Sequence, residues 1–123
     1  MPKWSKDELR KFAETDDLHI SPFREDGTTY GTPTWIWSVV VDDGIYVRPY
    51  NGENSRWFQA AMKQKAGRIT AAGLTKEVSF ELANDSINAR VDDAYQAKYT
   101  RSPYLSPMIN KRLHSTTLII SPR

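Results

Sequence analysis

The sequence predicts an α+β fold in which a small antiparallel sheet curls into a partly open barrel, and three observations carry that prediction. Six or so short runs alternate apolar and polar residues with the two-residue period of strands. About three segments follow the helical repeat, and the breaks between runs are tight turns marked by Gly, Asp and Asn. Hairpins dominate, and the helices join strands without alternating regularly with them, so an antiparallel barrel is the natural closure. At 123 residues the chain reads as one domain, residues 1–123, long enough to bury a core without cross-links.

Ser5-Lys6-Asp7-Glu8 reads as a capping box, with Leu9, Phe12 and Ala13 on one face of the helix that follows. Leu18, Ile20 and Phe23 alternate as in a half-buried strand, and residues 24–31 form a polar loop punctuated by Gly27 and Gly31. Residues 34–42 give the strongest strand signal. Trp35, Trp37, Val39 and Val41 share one face and Ile36 and Val40 the other, which predicts a central strand covered on both sides. Asp43-Gly44 predicts a two-residue hairpin turn into a strand over residues 45–50. That register pairs Val41 with Tyr46, Val39 with Arg48 and Trp37 with Tyr50, and gathers the aromatic rings around Arg48.

Ser55 is a suitable N-cap for a helix over residues 56–65 with Trp57, Phe58, Ala61 and Met62 inward, ended by Ala66-Gly67. Residues 68–72 make a short strand and Gly73 a turn. Residues 76–82 alternate with Val78, Phe80 and Leu82 inward. A second long helix begins at Asp85 or Ser86 and runs to about Tyr99, with Ile87, Val91, Ala94, Tyr95 and Lys98 on the helical repeat. Residues 100–115, with Pro103 and Pro107, read as an ordered surface loop, and residues 116–121 as the last strand.

Composition narrows the function. The net charge of +2 carries no Lys/Arg track, which argues against nucleic acid as a partner. The absence of cysteine excludes disulfides and thiolate chemistry. No secretory signal or membrane-length apolar run is visible, so the expectation is a soluble, cytoplasmic protein without a membrane partner. His19 and His114 lack metal-ligand spacing, and surface or capping roles are expected of them. The pairs Asp16-Asp17, Asp42-Asp43 and Asp92-Asp93 fit helix ends, turns or helix surfaces and not an acid–base pair.

The stretch from Ile45 to Trp57 stands out as a candidate site. Tyr46, Arg48 and Tyr50 share a strand face, and the polar loop after them leads to a helix start at Ser55. A cation on an aromatic face beside a helix N-terminus suits an anionic ring compound, a small nucleotide-like ligand. The candidate ligand-binding residues are Trp37, Arg48, Tyr50, Asn51, Gly52, Asn54, Ser55, Arg56 and Trp57. Each has a plainer reading. Arg48 could pair with a surface carboxylate such as Glu53, and Asn51, Asn54 and Ser55 suit any turn and cap. Arg56 could point into solvent, and Trp35, with Trp37 and Trp57 left open, is expected in the core. Tyr104, Leu105 and Met108 could cover the site or pin the loop. No catalytic set accompanies these residues.

The run Tyr46-Val47-Arg48, then Gly52, Trp57 and Gly67-Arg68-Ile69, resembles an uncharacterised bacterial family named only as domain of unknown function 2255. The helix Asp92-Asp93-Ala94-Tyr95-Gln96-Ala97-Lys98-Tyr99 and the ending Thr117-Leu118-Ile119-Ile120-Ser121-Pro122 are similar to it as well, so the resemblance covers nearly the whole chain. Pro49 departs from the pattern, where a small residue such as Ser is more usual, and removes a backbone donor at the edge of the site. More distantly, the chain resembles the split-barrel flavin-binding superfamily, which includes pyridoxamine-phosphate-oxidase-like proteins and deazaflavin-dependent nitroreductases. That resemblance implies a six-stranded antiparallel split β-barrel, often a homodimer, with FMN or a deazaflavin against the barrel wall near Arg48, Tyr50, Gly52 and Trp57. It implies a possible oxidoreductase; the alternative is a non-enzymatic module for another small anionic ligand or a protein partner.

Overall fold

The computed structural model describes residues 3–123. Ser5 opens helix α1 (Lys6–Glu14) through the expected box: its hydroxyl accepts from the Glu8 N–H at 3.1 Å, and Glu8 Oε1 accepts from the Ser5 N–H at 2.9 Å. Strand β1 (His19–Pro22) follows. The strong apolar run then divides into β2 (Thr34–Trp35) and β3 (Ser38–Val41), before β4 (Gly44–Val47). Helix α2 (Arg56–Gln64) ends where Lys65 takes a left-handed φ of 60°. Ala66 and Gly67, expected to end that helix, instead begin β5 (Ala66–Ala71), which turns through Ala72-Gly73 into β6 (Leu74–Leu82). Helix α3 (Asn88–Lys98), the single turn α4 (Leu105–Met108) and β7 (Leu118–Pro122) complete the chain.

Among the described residues the sheet has seven antiparallel strands, in the order β2-β1-β5-β6-β7-β4-β3. The six-stranded expectation is corrected by the division of residues 34–42, and the barrel is open. The two halves of that run are not central. They are the two outer edges of the sheet, joined only by Ile36 and Trp37. The chain therefore steps from one edge to the other, and the sheet must curl for so short a bridge to span it. Local bonds enforce the break: the Ile36 N–H is drawn to the Leu18 carbonyl at 3.1 Å, while the Tyr99 hydroxyl accepts from the Ser38 N–H at 3.2 Å.

The β3–β4 hairpin also differs from expectation. Val41 pairs with Gly44 and Val39 with Tyr46, so the turn is Asp42-Asp43 and the register moves by two residues. Asp42 takes the left-handed conformation, φ 52°, which Asp tolerates well for a non-glycine residue. Gly44 is needed in the strand for space, since a Cβ there would meet the Tyr46 ring at 3.0 Å and Ile119 at 3.1 Å. A two-residue shift preserves the faces, so the alternation of the run survives although its pairing does not.

That alternation explains how one short segment serves two cores. Ile36 and Val40 face the inner cluster with Phe12, Ile20, Ile45, Phe58, Phe80 and Ile120, under α1 and α2. Trp37, Val39 and Val41 face a second cluster with Tyr46, Val91, Tyr95, Met108 and Leu113, under α3 and α4. The two-faced apolar loading of residues 34–42 is thus satisfied within one chain. Gly67 permits close approach of β1 to β5, because a Cβ there would lie 2.4 Å from the Ser21 carbonyl oxygen. Leu82, expected inward, is exposed at the end of β6. Residues 100–115 are more structured than a loop: α4 and a 3-10 turn over Lys111–Thr116 pin Met108 and Leu113 into the second core. No helix among the described residues is long and apolar enough to cross a membrane.

Candidate functional site

A cleft of about 550 Å³ opens at the seam where the two sheet edges meet, within the size range of small-molecule sites. Three segments border it. Strand β2 and the bridge after it supply Thr34, Trp35, Ile36 and Trp37; the segment from the end of β4 to the start of α2 supplies Arg48, Tyr50, Asn51, Ser55, Arg56 and Trp57; Tyr104 and Met108 come from around α4. Seven of the nine candidate residues thus lie around one cavity: Trp37, Arg48, Tyr50, Asn51, Ser55, Arg56 and Trp57. Gly52 and Asn54 do not border it. They form a short 3-10 turn with Glu53, in which Gly52 takes a φ of 64°.

Arg48 is the largest fully buried side chain among the described residues, 1 % exposed. Beyond β4 its side chain turns toward α3. Nε donates to Thr117 Oγ1 at 2.8 Å, Nη1 to the Asp92 carboxylate and to the Met108 carbonyl at 3.0 Å, and Nη2 to Asn88 Oδ1 at 3.0 Å and the Asn88 carbonyl at 3.3 Å. A guanidinium has five N–H donors, and five bonds are made. The guanidinium also lies 5.6 Å from the Tyr95 ring centroid. The carboxylate that holds Arg48 is Asp92 and not Glu53, and the rings expected around it, Trp37 and Tyr50, are engaged elsewhere. His114 Nε2 in turn lies 2.9 Å from the Asp92 carboxylate, so neither residue is a plain surface group. Asn88 closes the network through Asp85 Oδ1 at 2.9 Å and the His114 carbonyl at 3.2 Å.

The aromatic walls are held from behind. Trp37 stacks on Tyr99 with ring centroids 4.0 Å apart and planes at 3°. The Tyr99 hydroxyl and Lys98 Nζ both donate to the Ser38 carbonyl, Lys98 at 2.7 Å, and Lys98 also reaches the Phe12 carbonyl near the end of α1 at 3.3 Å. Burial pushes Lys98 down to about 8 and Tyr99 up to about 12. It also raises Tyr95. Trp35 is not in the core as expected; it is 54 % exposed, its indole N–H donating to the Asp16 carbonyl. Tyr50 and Tyr104 meet edge to face at 6.1 Å on the rim, so Met108 pins the loop while Tyr104 borders the opening.

The charge of the lining is one-sided. Arg48 and Arg56 are its ionic residues, and no carboxylate, imidazole or lysine borders the cleft among the described residues. Arg56 is exposed and forms no ion pair among the described residues. Ser55 occupies the N-cap position of α2 but its hydroxyl does not cap the helix. The lining thus joins flat apolar surface to positive charge and holds no acid, base or nucleophile set among the described residues.

Sequence reasoning missed the network behind Arg48. The signal was present: Asn88, Asp92 and Tyr95 fall one helical turn apart on one face of α3. What it lacked was the strand that this face covers.

Fold and cleft together describe an α+β protein with a curled antiparallel sheet and an aromatic, arginine-bearing cleft at its seam. The chain belongs to a family described as uncharacterised proteins conserved in bacteria, domain of unknown function 2255, whose model matches residues 8–120. A search of curated proteins finds no match.

Proposed function

We propose that the cleft binds a flavin or deazaflavin nucleotide and that the protein acts with it as an oxidoreductase. The observation that carries this reading is the lining itself: indole and phenol rings around a cavity of about 550 Å³ whose ionic residues are arginines. The residues present fit such a cofactor on two counts. Trp37, braced by Tyr99, and Trp57 offer flat apolar surface to a ring system, and the arginine side of the cleft favours an anionic tail. A bound flavin or deazaflavin ring would supply the hydride or electron chemistry. The chain's own part is to bind and orient the ring, to hold the anionic tail and to exclude water with the aromatic rim. The lack of acid–base side chains in the lining agrees with that division of labour.

The test is a fluorescence titration of purified protein with flavin mononucleotide and with a deazaflavin cofactor. Saturable binding of one of them at micromolar concentration is expected; saturation by neither overturns the proposal.

One observation favours a second reading, a non-enzymatic module that binds a protein partner or another small anion. Trp35, Tyr50 and Tyr104, three of the four large hydrophobic residues exposed on the described surface, all border this opening. A preparation that binds neither cofactor but retains one protein partner, and loses it in Trp35→Ala, would select that reading.

A further inference from the structure

We propose that the N-terminal end of α2 seats a terminal phosphate monoester, held by the Ser55 hydroxyl, the first backbone N–H groups of the helix and the Arg56 guanidinium, with Arg48 taking no direct part. This rests on the reading of the cleft as a nucleotide site and specifies which end of the ligand goes where.

Four observations meet at this point. First, α2 is a nine-residue helix, and its first-turn N–H groups have no side-chain acceptor: Ser55 makes no capping bond. Second, Ser55 is only 9 % exposed, borders the cleft, and its hydroxyl has no hydrogen-bond partner among the described residues. The hydroxyl faces the cleft with its donor and both acceptor sites open to a ligand. Third, Arg56 stands at the first helical position, and the first turn of α2 holds no acidic residue. A cation there opposes the helix dipole, an arrangement that a bound anion reverses. Fourth, every donor of Arg48 is already used within the protein, so the free positive charge on the cleft belongs to Arg56.

The donors define the ligand group. The first-turn N–H groups, a hydroxyl and a guanidinium come from adjacent residues, and no carboxylate borders the cleft among the described residues, which suits a multiply charged group with several exposed oxygens better than a neutral carbonyl. A terminal phosphate, with the flat ring lying toward Trp37 and Trp57, satisfies both ends of the cleft.

Three probes separate this proposal from the reading it rests on: flavin mononucleotide, riboflavin, which has the same ring without the phosphate, and inorganic phosphate. Each is titrated into wild-type protein, Ser55→Ala and Arg56→Gln, with circular dichroism as the folding control. Wild-type protein is expected to prefer flavin mononucleotide over riboflavin by at least about ten-fold, the scale of one lost charge-assisted hydrogen bond. Both substitutions should erase most of that preference, leave riboflavin affinity unchanged and keep the fold. Equal binding of the two flavins, or a preference that survives both substitutions, would overturn the phosphate seat while leaving the ring reading intact. Should neither flavin bind but inorganic phosphate raise the melting temperature of wild-type protein and not of Arg56→Gln, the seat stands and the flavin reading falls. No effect of any probe overturns the phosphate seat, and the cleft reading then stands or falls on the deazaflavin titration.

Discussion

Arg48 and Arg56 border the same cleft and differ in almost every physical respect. Arg48 is sealed against α3, with a carboxylate, an amide, a hydroxyl and two carbonyls on its donors. Arg56 stands in solvent at the start of α2 without an ion-pair partner among the described residues. The first charge is spent on architecture: it ties the end of β4 to α3, to Met108 at the end of α4 and to Thr117 just before β7. The second has no structural task and is placed where it costs the helix a little. The contrast teaches that an arginine next to a cavity is not thereby a ligand-binding arginine; the count of donors already used separates the two.

The largest expected effect tests the structural half of the contrast. Arg48→Met should cost about 3–5 kcal/mol, because it leaves Asp92, Asn88 and Thr117 with unmatched polar groups in a largely dry interior. Urea unfolding measures it, and a loss below about 1 kcal/mol would mean that the network is slack. Asp92→Asn keeps the shape but removes the counter-charge, and should cost about 1–3 kcal/mol, with His114 losing its anionic partner as well.

Lys98 is an intermediate case, a cation half-buried behind the cleft wall. Burial sets its folded value near 8, below the ordinary 10.5 of the unfolded chain. Between these values the unfolded chain binds more protons, so stability rises as pH climbs from about 8 toward 10. With solvent screening allowed for, the gain is about 1–2 kcal/mol. Above pH 10 the raised Tyr95 and Tyr99 work in the opposite direction, since the folded state then keeps protons that the unfolded chain releases. Chemical unfolding at a series of pH values should show the rise in wild-type protein and its absence in Lys98→Met.

The smallest effect on stability belongs to Arg56. Arg56→Gln should change the unfolding free energy by no more than about 0.5 kcal/mol, with a slight gain from relief of the helix dipole. A large loss would show that Arg56 has a structural partner and would dissolve the contrast.

Much of this was legible in the sequence where the determinants are local. The capping box at Ser5 lies within one helical turn and was readable directly. So was the placing of Arg48, Tyr50, Asn51, Ser55, Arg56 and Trp57 around one cavity, because a strand end, a tight turn and a helix start leave those residues little room to separate. The run over residues 34–41 was readable as alternation but not as two sheet edges, since that depends on strands contributed from elsewhere in the chain. The hairpin register was lost because Gly44 looked like a turn residue, whereas the structure uses it to admit the Tyr46 ring. The partners of Arg48 were out of reach for the same long-range reason: Asp92 lies 44 residues away, and only the packing of α3 brings it there.

The most direct measurement of the central claim is a crystal structure of the protein with flavin mononucleotide. The ring is expected against Trp37 and Trp57, the phosphate within hydrogen-bond distance of Ser55 Oγ and Arg56, and Arg48 still bound to Asp92. A phosphate seated on Arg48 with the Asp92 bond broken, or a ligand bound away from the seam, would contradict it.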